Sequence, residues 1–173
     1  KNILVTVGGY DTRNLTPKII KALNKIDFDS IDEKYIDKEN LHIDIVIGPS
    51  FDNLDEIVKE VNKSNLDISL NFNVKKMSEL MLKSDIAISS GGSTLYELAV
   101  TKTPSLVMLQ AKNQVRVAEK MDGKSIINLG FGDKVTKLKI KESIVNFIMN
   151  SNQRKRLAEN HNKFSDNFRK EIL

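Results

Sequence analysis

The chain has 173 residues, a formal net charge of +4, 40% apolar and 29% charged residues, two histidines and no cysteine. This composition suits one globular domain of ordinary size and excludes disulfides, thiolate metal sites and a cysteine nucleophile. No apolar run approaches the roughly 18 residues of a membrane span, no signal peptide is recognisable, and lysines alternate with acids instead of forming a nucleic-acid surface, so the expectation is a cytoplasmic protein without a nucleic-acid partner.

Ile3 to Val7 reads as a short strand ended by Gly8-Gly9. Leu15 to Ile26 carries apolar residues at 15, 19, 20, 23 and 26, a helical stripe, with Thr16 as the expected cap and Pro17 at the first helical position. Residues 27–40 are acidic and polar and read as a variable excursion. Leu41 to Ile47 is a second strand, Leu54 to Val61 a helix, Leu66 to Leu70 a third strand and Met77 to Leu82 a short helix. Asp85 to Ser89 is the fourth strand; it runs through Ser90-Gly91-Gly92-Ser93-Thr94 into a helix ending at Val100. Pro104 to Leu109 is a strand, Asn113 to Met121 a helix and Ser125 to Leu129 the sixth strand. Leu138 to Met149 and Gln153 to Phe168 read as two closing helices.

Strand and helix alternate about six times, and the strands are apolar on both faces. That pattern predicts an α/β fold, a doubly wound parallel six-stranded sheet of Rossmann-like form. Ligands of such sheets bind outside the carboxyl ends of the strands. Residue 1 is lysine, and the first strand starts at residue 3 without a lead-in. The expectation is a single domain over residues 1–173, cut from the C-terminal part of a longer two-domain chain.

Two glycine-rich turns fall at predicted carboxyl ends. Thr6-Val7-Gly8-Gly9-Tyr10-Asp11, with Gly8-Gly9-Tyr10 at its centre, lets backbone N–H groups approach an anion, but any tight β-α turn has the same need of glycine. It matches neither the dinucleotide fingerprint nor a Walker loop. Ser90-Gly91-Gly92-Ser93-Thr94 is more telling, because one helix cap explains one hydroxyl residue and not the whole run. Several N–H groups and hydroxyls converging at a helix start suit a diphosphate.

Further candidates are weaker on spacing alone. Glu97, one turn into the following helix, reads either as an acceptor for ribose hydroxyls or as an acidic residue placed by the helix dipole. Gln110-Ala111-Lys112-Asn113-Gln114 reads either as a phosphate or sugar contact or as a polar loop with Asn113 capping the next helix. Asn71-Phe72-Asn73-Val74 is either a base platform or an ordinary loop. His42 is read as structural and His161 as solvated. No serine elbow of the Gly-x-Ser-x-Gly type occurs, no nucleophile–base pair stands out and no carboxylate cluster suggests a metal.

The run Ser90 to Ala99, followed by Pro104-Ser105-Leu106-Val107 and Asn113-Gln114, resembles the C-terminal domain of GT-B nucleotide-sugar enzymes. With Ile3 to Asp11, Asn14-Leu15, Met77 to Met81 and Ser84-Asp85, the chain is most similar to the UDP-sugar hydrolases of pseudaminic acid biosynthesis and their spore-coat polysaccharide relatives. The N-acetylglucosaminyltransferase that makes lipid II is a more distant likeness. The resemblance covers residues 1 to about 130; residues 27–40 depart from it.

It implies that Gly91 to Thr94 hold the diphosphate of a UDP-sugar and Glu97 the ribose hydroxyls. Val74 would meet the uracil, and Asn113 and Gln114 the sugar or phosphate, with no cofactor and no metal. It also implies a second, N-terminal domain, which in the hydrolases supplies a catalytic histidine, so no catalytic residue is assigned in this chain. Hydrolase, glycosyltransferase donor domain and non-catalytic nucleotide-sugar module all fit these residues. In the hydrolase case water replaces UDP at the anomeric carbon, and this domain stabilises the departing diphosphate.

Overall fold

A computed structural model of the chain describes residues 1–36 and 39–160. His161, and the expected helix Gln153 to Phe168 beyond residue 160, lie outside the described residues, as do two positions of the 27–40 segment.

The aliphatic run at the start forms β1 (Asn2–Thr6), followed by α1 (Leu15–Leu23), β2 (His42–Ile47), α2 (Leu54–Asn62) and β3 (Asp67–Phe72). The second half repeats the rhythm with α3 (Met77–Lys83), β4 (Ile86–Ser90), α4 (Thr94–Val100), β5 (Ser105–Leu109), α5 (Val115–Met121), β6 (Ile126–Phe131) and α6 (Lys137–Met149). Residues 151–160 are helical as well. All the strand pairs are parallel, in the order β3-β2-β1-β4-β5-β6. The chain therefore works outward from β1 in one direction, then returns to place β4 on its other side. Such a reversal opens a crevice at the carboxyl ends of the two central strands.

Two-residue alternation divides the strands between two apolar layers. Ile3, Val5, Ile43, Ile45, Ile86 and Ile88 face α1, α2 and α6, whose Ile19, Leu23, Ile57, Ile144 and Phe147 complete that core. Leu4, Ala87, Val107 and Leu109 face the other way, against Met81, Leu95, Leu98, Ala118 and Met121 of α3, α4 and α5. Both sheet faces are covered, which is why the central strands read as continuous apolar runs.

Three local differences from the sequence reading have physical causes. Thr16 does not cap α1: its hydroxyl is buried without a partner among the described residues, and Asp11 accepts the Leu15 and Thr16 N–H groups at 2.6 and 2.9 Å. Asn14, in the left-handed region at φ 55°, turns the chain so that this carboxylate arrives first. The 27–40 segment is not a purely polar excursion: Phe28, Ile31 and Ile36 are buried in the core. Asn113 lies in a 3-10 turn, Lys112–Gln114, and α5 starts only at Val115 with no side-chain cap. Among the described residues no helix is long and apolar enough to cross a membrane.

Candidate functional site

The crevice is a cleft of about 290 Å³ at the carboxyl ends of β1, β4 and β5. Its walls are Val7 to Tyr10 and Thr12 from the first turn, Ser90 and Gly92 to Thr94 from the second, and Gln110, Ala111, Asn113 and Gln114 from the third. The two glycine-rich turns and the Asn113-Gln114 pair, separate in sequence, thus share one cavity. Gly91, Val74 and Glu97 do not line it. Gly91 packs beneath: a Cβ there would stand 2.6 Å from Leu109 Cδ2 and 2.9 Å from Gln114 Cβ, so only glycine lets the turn sit this low. Glu97 is exposed on α4. Val74 belongs to a second cleft of about 530 Å³, beside α3 and the end of β3, together with Asn71, Lys75, Lys76, Glu79, Leu80 and Lys83.

Hydrogen bonds around the first turn have one direction. The Val7 carbonyl accepts from Ser90 Oγ and from Gln110 Nε2, both at 2.8 Å. The Tyr10 carbonyl accepts from the same Gln110 nitrogen at 3.1 Å, the Gly9 carbonyl from Ser50 N at 3.1 Å, and the Asp11 carbonyl from Asn14 N at 3.1 Å. The backbone N–H groups of Gly8, Gly9 and Tyr10 find no acceptor among the described residues. The second turn behaves alike. The N–H groups of Gly92, Ser93 and Thr94 are unbonded among the described residues, and the Ser93 hydroxyl does not cap α4. Acceptors are turned into the protein and donors are left over at the cleft.

Among the described residues that line the cleft there is no Asp, Glu, Lys, Arg or His. An anion held here is met by backbone dipoles, hydroxyls and amides. Ser90, expected as a ligand donor, spends its one proton on Val7 O and works as a brace between β1 and β4. Gln114 likewise has its Oε1 occupied, accepting from Gln110 N at 2.8 Å, while its Nε2 stays beside Gly92.

The charges stand outside the cleft and hold its frame. Arg13 Nε donates to the Gln110 carbonyl at 2.5 Å; its guanidinium pairs with Asp133 at 2.6 Å and lies 5.2 Å from the Phe131 ring centre. Lys18 Nζ donates to the Gly132 carbonyl at 2.6 Å. Burial lowers the Lys18 pKa, against the opposing pull of Asp133. Near the second cleft, Asp44 is 3% exposed, pairs with Lys83 at 2.9 Å and accepts from Asn71 at 2.9 Å. Burial pushes its carboxyl up, but Lys83, Asn71 and His42 together hold it below the ordinary value.

Two contributors escaped the sequence reading. Gly48 lies under the first turn, where a Cβ would stand 2.4 Å from the Gly8 carbonyl oxygen and 2.7 Å from that of Gly9. Asp11, taken only as part of the loop, is the cap of α1. A glycine just past a strand was the available signal for Gly48, although the sequence does not say what approaches it.

Compared with known proteins, the sequence matches the glycosyltransferase family 28 C-terminal domain over residues 2–172. The chain belongs to that family. It is 26% identical over 136 residues to the spore coat polysaccharide biosynthesis protein SpsG of Bacillus subtilis, a match covering 78% of this chain and 37% of that protein. It is 32% identical over 108 residues to a Helicobacter pylori protein named pseudaminic acid cytidylyltransferase and UDP-2,4-diacetamido-2,4,6-trideoxy-beta-L-altropyranose hydrolase, covering 52% of this chain and 21% of that one. The crystal structure of MurG from Acinetobacter baumannii superposes with a TM-score of 0.71 at 18% identity, over 95% of this chain and 45% of that one. This family 28 domain therefore spans less than half the length of each of these proteins, and its fold is one half of the GT-B architecture.

Proposed function

We propose that the chain binds the UDP part of a UDP-sugar, with the diphosphate between the Gly8-Gly9-Tyr10 and Gly92-Ser93-Thr94 turns. The observation that carries the reading is the polarity of the cleft. Two turns on adjacent strands present N–H groups, unbonded among the described residues, to one cavity, while the Val7, Gly9 and Tyr10 carbonyls are bonded inward. A dianionic bridge with several acceptor oxygens is the ligand chemistry that complements this. The UDP-linked substrate in the name of the Helicobacter pylori relative supports uridine as the nucleoside.

In this reading Glu97 accepts from the ribose hydroxyls, Val74 and its loop meet the uracil, and Asn113 and Gln114 Nε2 reach the sugar or phosphate. Catalysis belongs to the whole protein, in which a second domain closes over the sugar and water displaces UDP, in biosynthesis of a surface polysaccharide of the pseudaminic acid or spore coat type. This domain's share is electrostatic stabilisation of the leaving diphosphate. The family description favours a second reading, in which the sugar is transferred to an acceptor. Product analysis on the longer protein separates the two: free sugar with UDP supports hydrolysis, a glycosylated acceptor supports transfer.

Calorimetric titration of the 173-residue chain with UDP, UDP-N-acetylglucosamine, CMP and NAD tests the binding claim. UDP and the UDP-sugar are expected to bind in preference to the others. Binding of CMP or NAD without UDP would overturn it.

A further inference from the structure

We infer that Gln110 is a positioning residue, which gives the Gly8-Gly9-Tyr10 turn its donor-facing polarity and so sets the phosphate share of nucleotide affinity. The inference rests on the diphosphate reading above.

The strands concerned are not neighbours, since β4 lies between β1 and β5. Gln110, one residue beyond β5 and 8% exposed, reaches past the end of β4 to the first turn. Its single amide nitrogen donates to two carbonyls of that turn, Val7 at 2.8 Å and Tyr10 at 3.1 Å. Its Oε1 accepts from Thr12 Oγ1 at 3.4 Å. The residue is itself fixed at both ends of its backbone, by Gln114 Oε1 on its N–H and Arg13 Nε on its carbonyl.

A short turn carries as many carbonyl oxygens as N–H groups, and an anion is repelled by the first and attracted by the second. Which set faces the ligand is decided by what holds the other. Here one buried amide takes two of the carbonyls, and the N–H groups of Gly8, Gly9 and Tyr10 are the groups left unbonded among the described residues. Glutamine is suited to this because it offers two neutral donors at sufficient reach. A glutamate in its place presents acceptors to acceptors when ionised, and methionine fills the space with no donor at all.

The test compares UDP with uridine on the 173-residue chain, because the ratio of their affinities isolates the phosphate increment. Gln110→Met is expected to reduce UDP affinity by about tenfold or more while uridine affinity stays within about twofold, as loss of aligned donors predicts. The amide NMR signals of Gly8, Gly9 and Tyr10 should shift at the same time. An unchanged UDP-to-uridine ratio, or an equal loss of both ligands, would overturn the inference, since a general loosening of the fold affects the two alike. Should Gln110→Met not fold, Gln110→Glu, which preserves the side-chain shape, is judged by the same ratio. If the unsubstituted chain binds no UDP, the diphosphate reading falls on its own. The positioning claim is then judged by the Gly8 to Tyr10 signals, which must move in the variant for it to stand.

Discussion

Asp11 shows how a single side chain divides structural from ligand-binding duties. Its two carboxylate oxygens take the Leu15 and Thr16 N–H groups, and Asn53 Nδ2 donates to it at 3.0 Å. The start of α1 is thereby satisfied from within, and the cleft relies on the turn before it. Asp11→Ala is expected to lower folding stability by about 1–2 kcal/mol, the usual cost of a lost helix cap, read from the urea midpoint. Glu97 belongs to the opposite class: exposed, outside the cleft lining and given its ribose role by the family resemblance alone. Glu97→Ala should leave the urea midpoint unchanged and weaken UDP by about 1–2 kcal/mol through lost ribose bonds; an unaltered calorimetric affinity would remove it from the site. The sequence made Ser90 to Thr94 stand out because the signal is local, five small residues between a strand and a helix. It could not reveal that Ser90 braces Val7 or that Gln110 clamps the first turn. Those contacts join residues 83 and 103 positions apart, and only the strand order brings them together.

Among the elements, the strands and the helix starts at Leu15, Leu54 and Met77 were readable from the apolar pattern, whereas the group that caps α1 was not. Thr16 followed by proline is a good local start signal, but a left-handed Asn14 and the Asp11 carboxylate displaced it. Two packing relations between elements make measurable predictions. Gly48, after β2, lies against the Gly8 and Gly9 carbonyls, and Ser50 N bonds the latter. Gly48→Ala must push backbone against backbone, with an expected cost of about 1–3 kcal/mol of stability and a parallel loss of UDP affinity, seen by thermal unfolding and titration. The other relation joins β2 to α3 through Asp44 and Lys83. Because the folded Asp44 carboxyl is held below its ordinary value, its stabilising share is full above the ordinary carboxylate range and is lost as pH falls from there through the lower folded value. Lys83→Met leaves the buried carboxylate without its cation. The expected loss is about 1–3 kcal/mol at neutral pH, less than for a fully buried pair because Lys83 is half exposed. Burial then raises the Asp44 carboxyl, so the loss should shrink as pH is lowered and the group is neutralised. Urea unfolding of both proteins at neutral and mildly acid pH measures the difference.

For the whole molecule, six parallel strands covered on both faces place every glycine-rich turn of the proposed site on one rim. The β-α rhythm made this architecture legible, since periodicity is a property of the whole sequence and survives errors at single boundaries. Which turns share a cavity was not legible, because that depends on the reversal of strand order at β1 and β4. The chain covers 21% and 37% of the two relatives described above, and its cleft is lined by side chains suited to holding a ligand. Incubated alone with a UDP-sugar, it is expected to bind without releasing UDP; steady release by the isolated chain would place the full chemistry here and contradict the division of labour proposed above.

The inward-turned carbonyls of the first turn also bear on how such a protein can diversify. A recognition surface made of main chain offers no side chain for substitution to retune, so mutation at Gly8 or Gly9 chiefly damages it. Changes of nucleotide or sugar preference in descendants of this chain should therefore accumulate on the rim, at Tyr10, Val74 and Asn113, which are not among its most buried residues. The proposed diphosphate lip then acts as a fixed inheritance around which new specificities are tried.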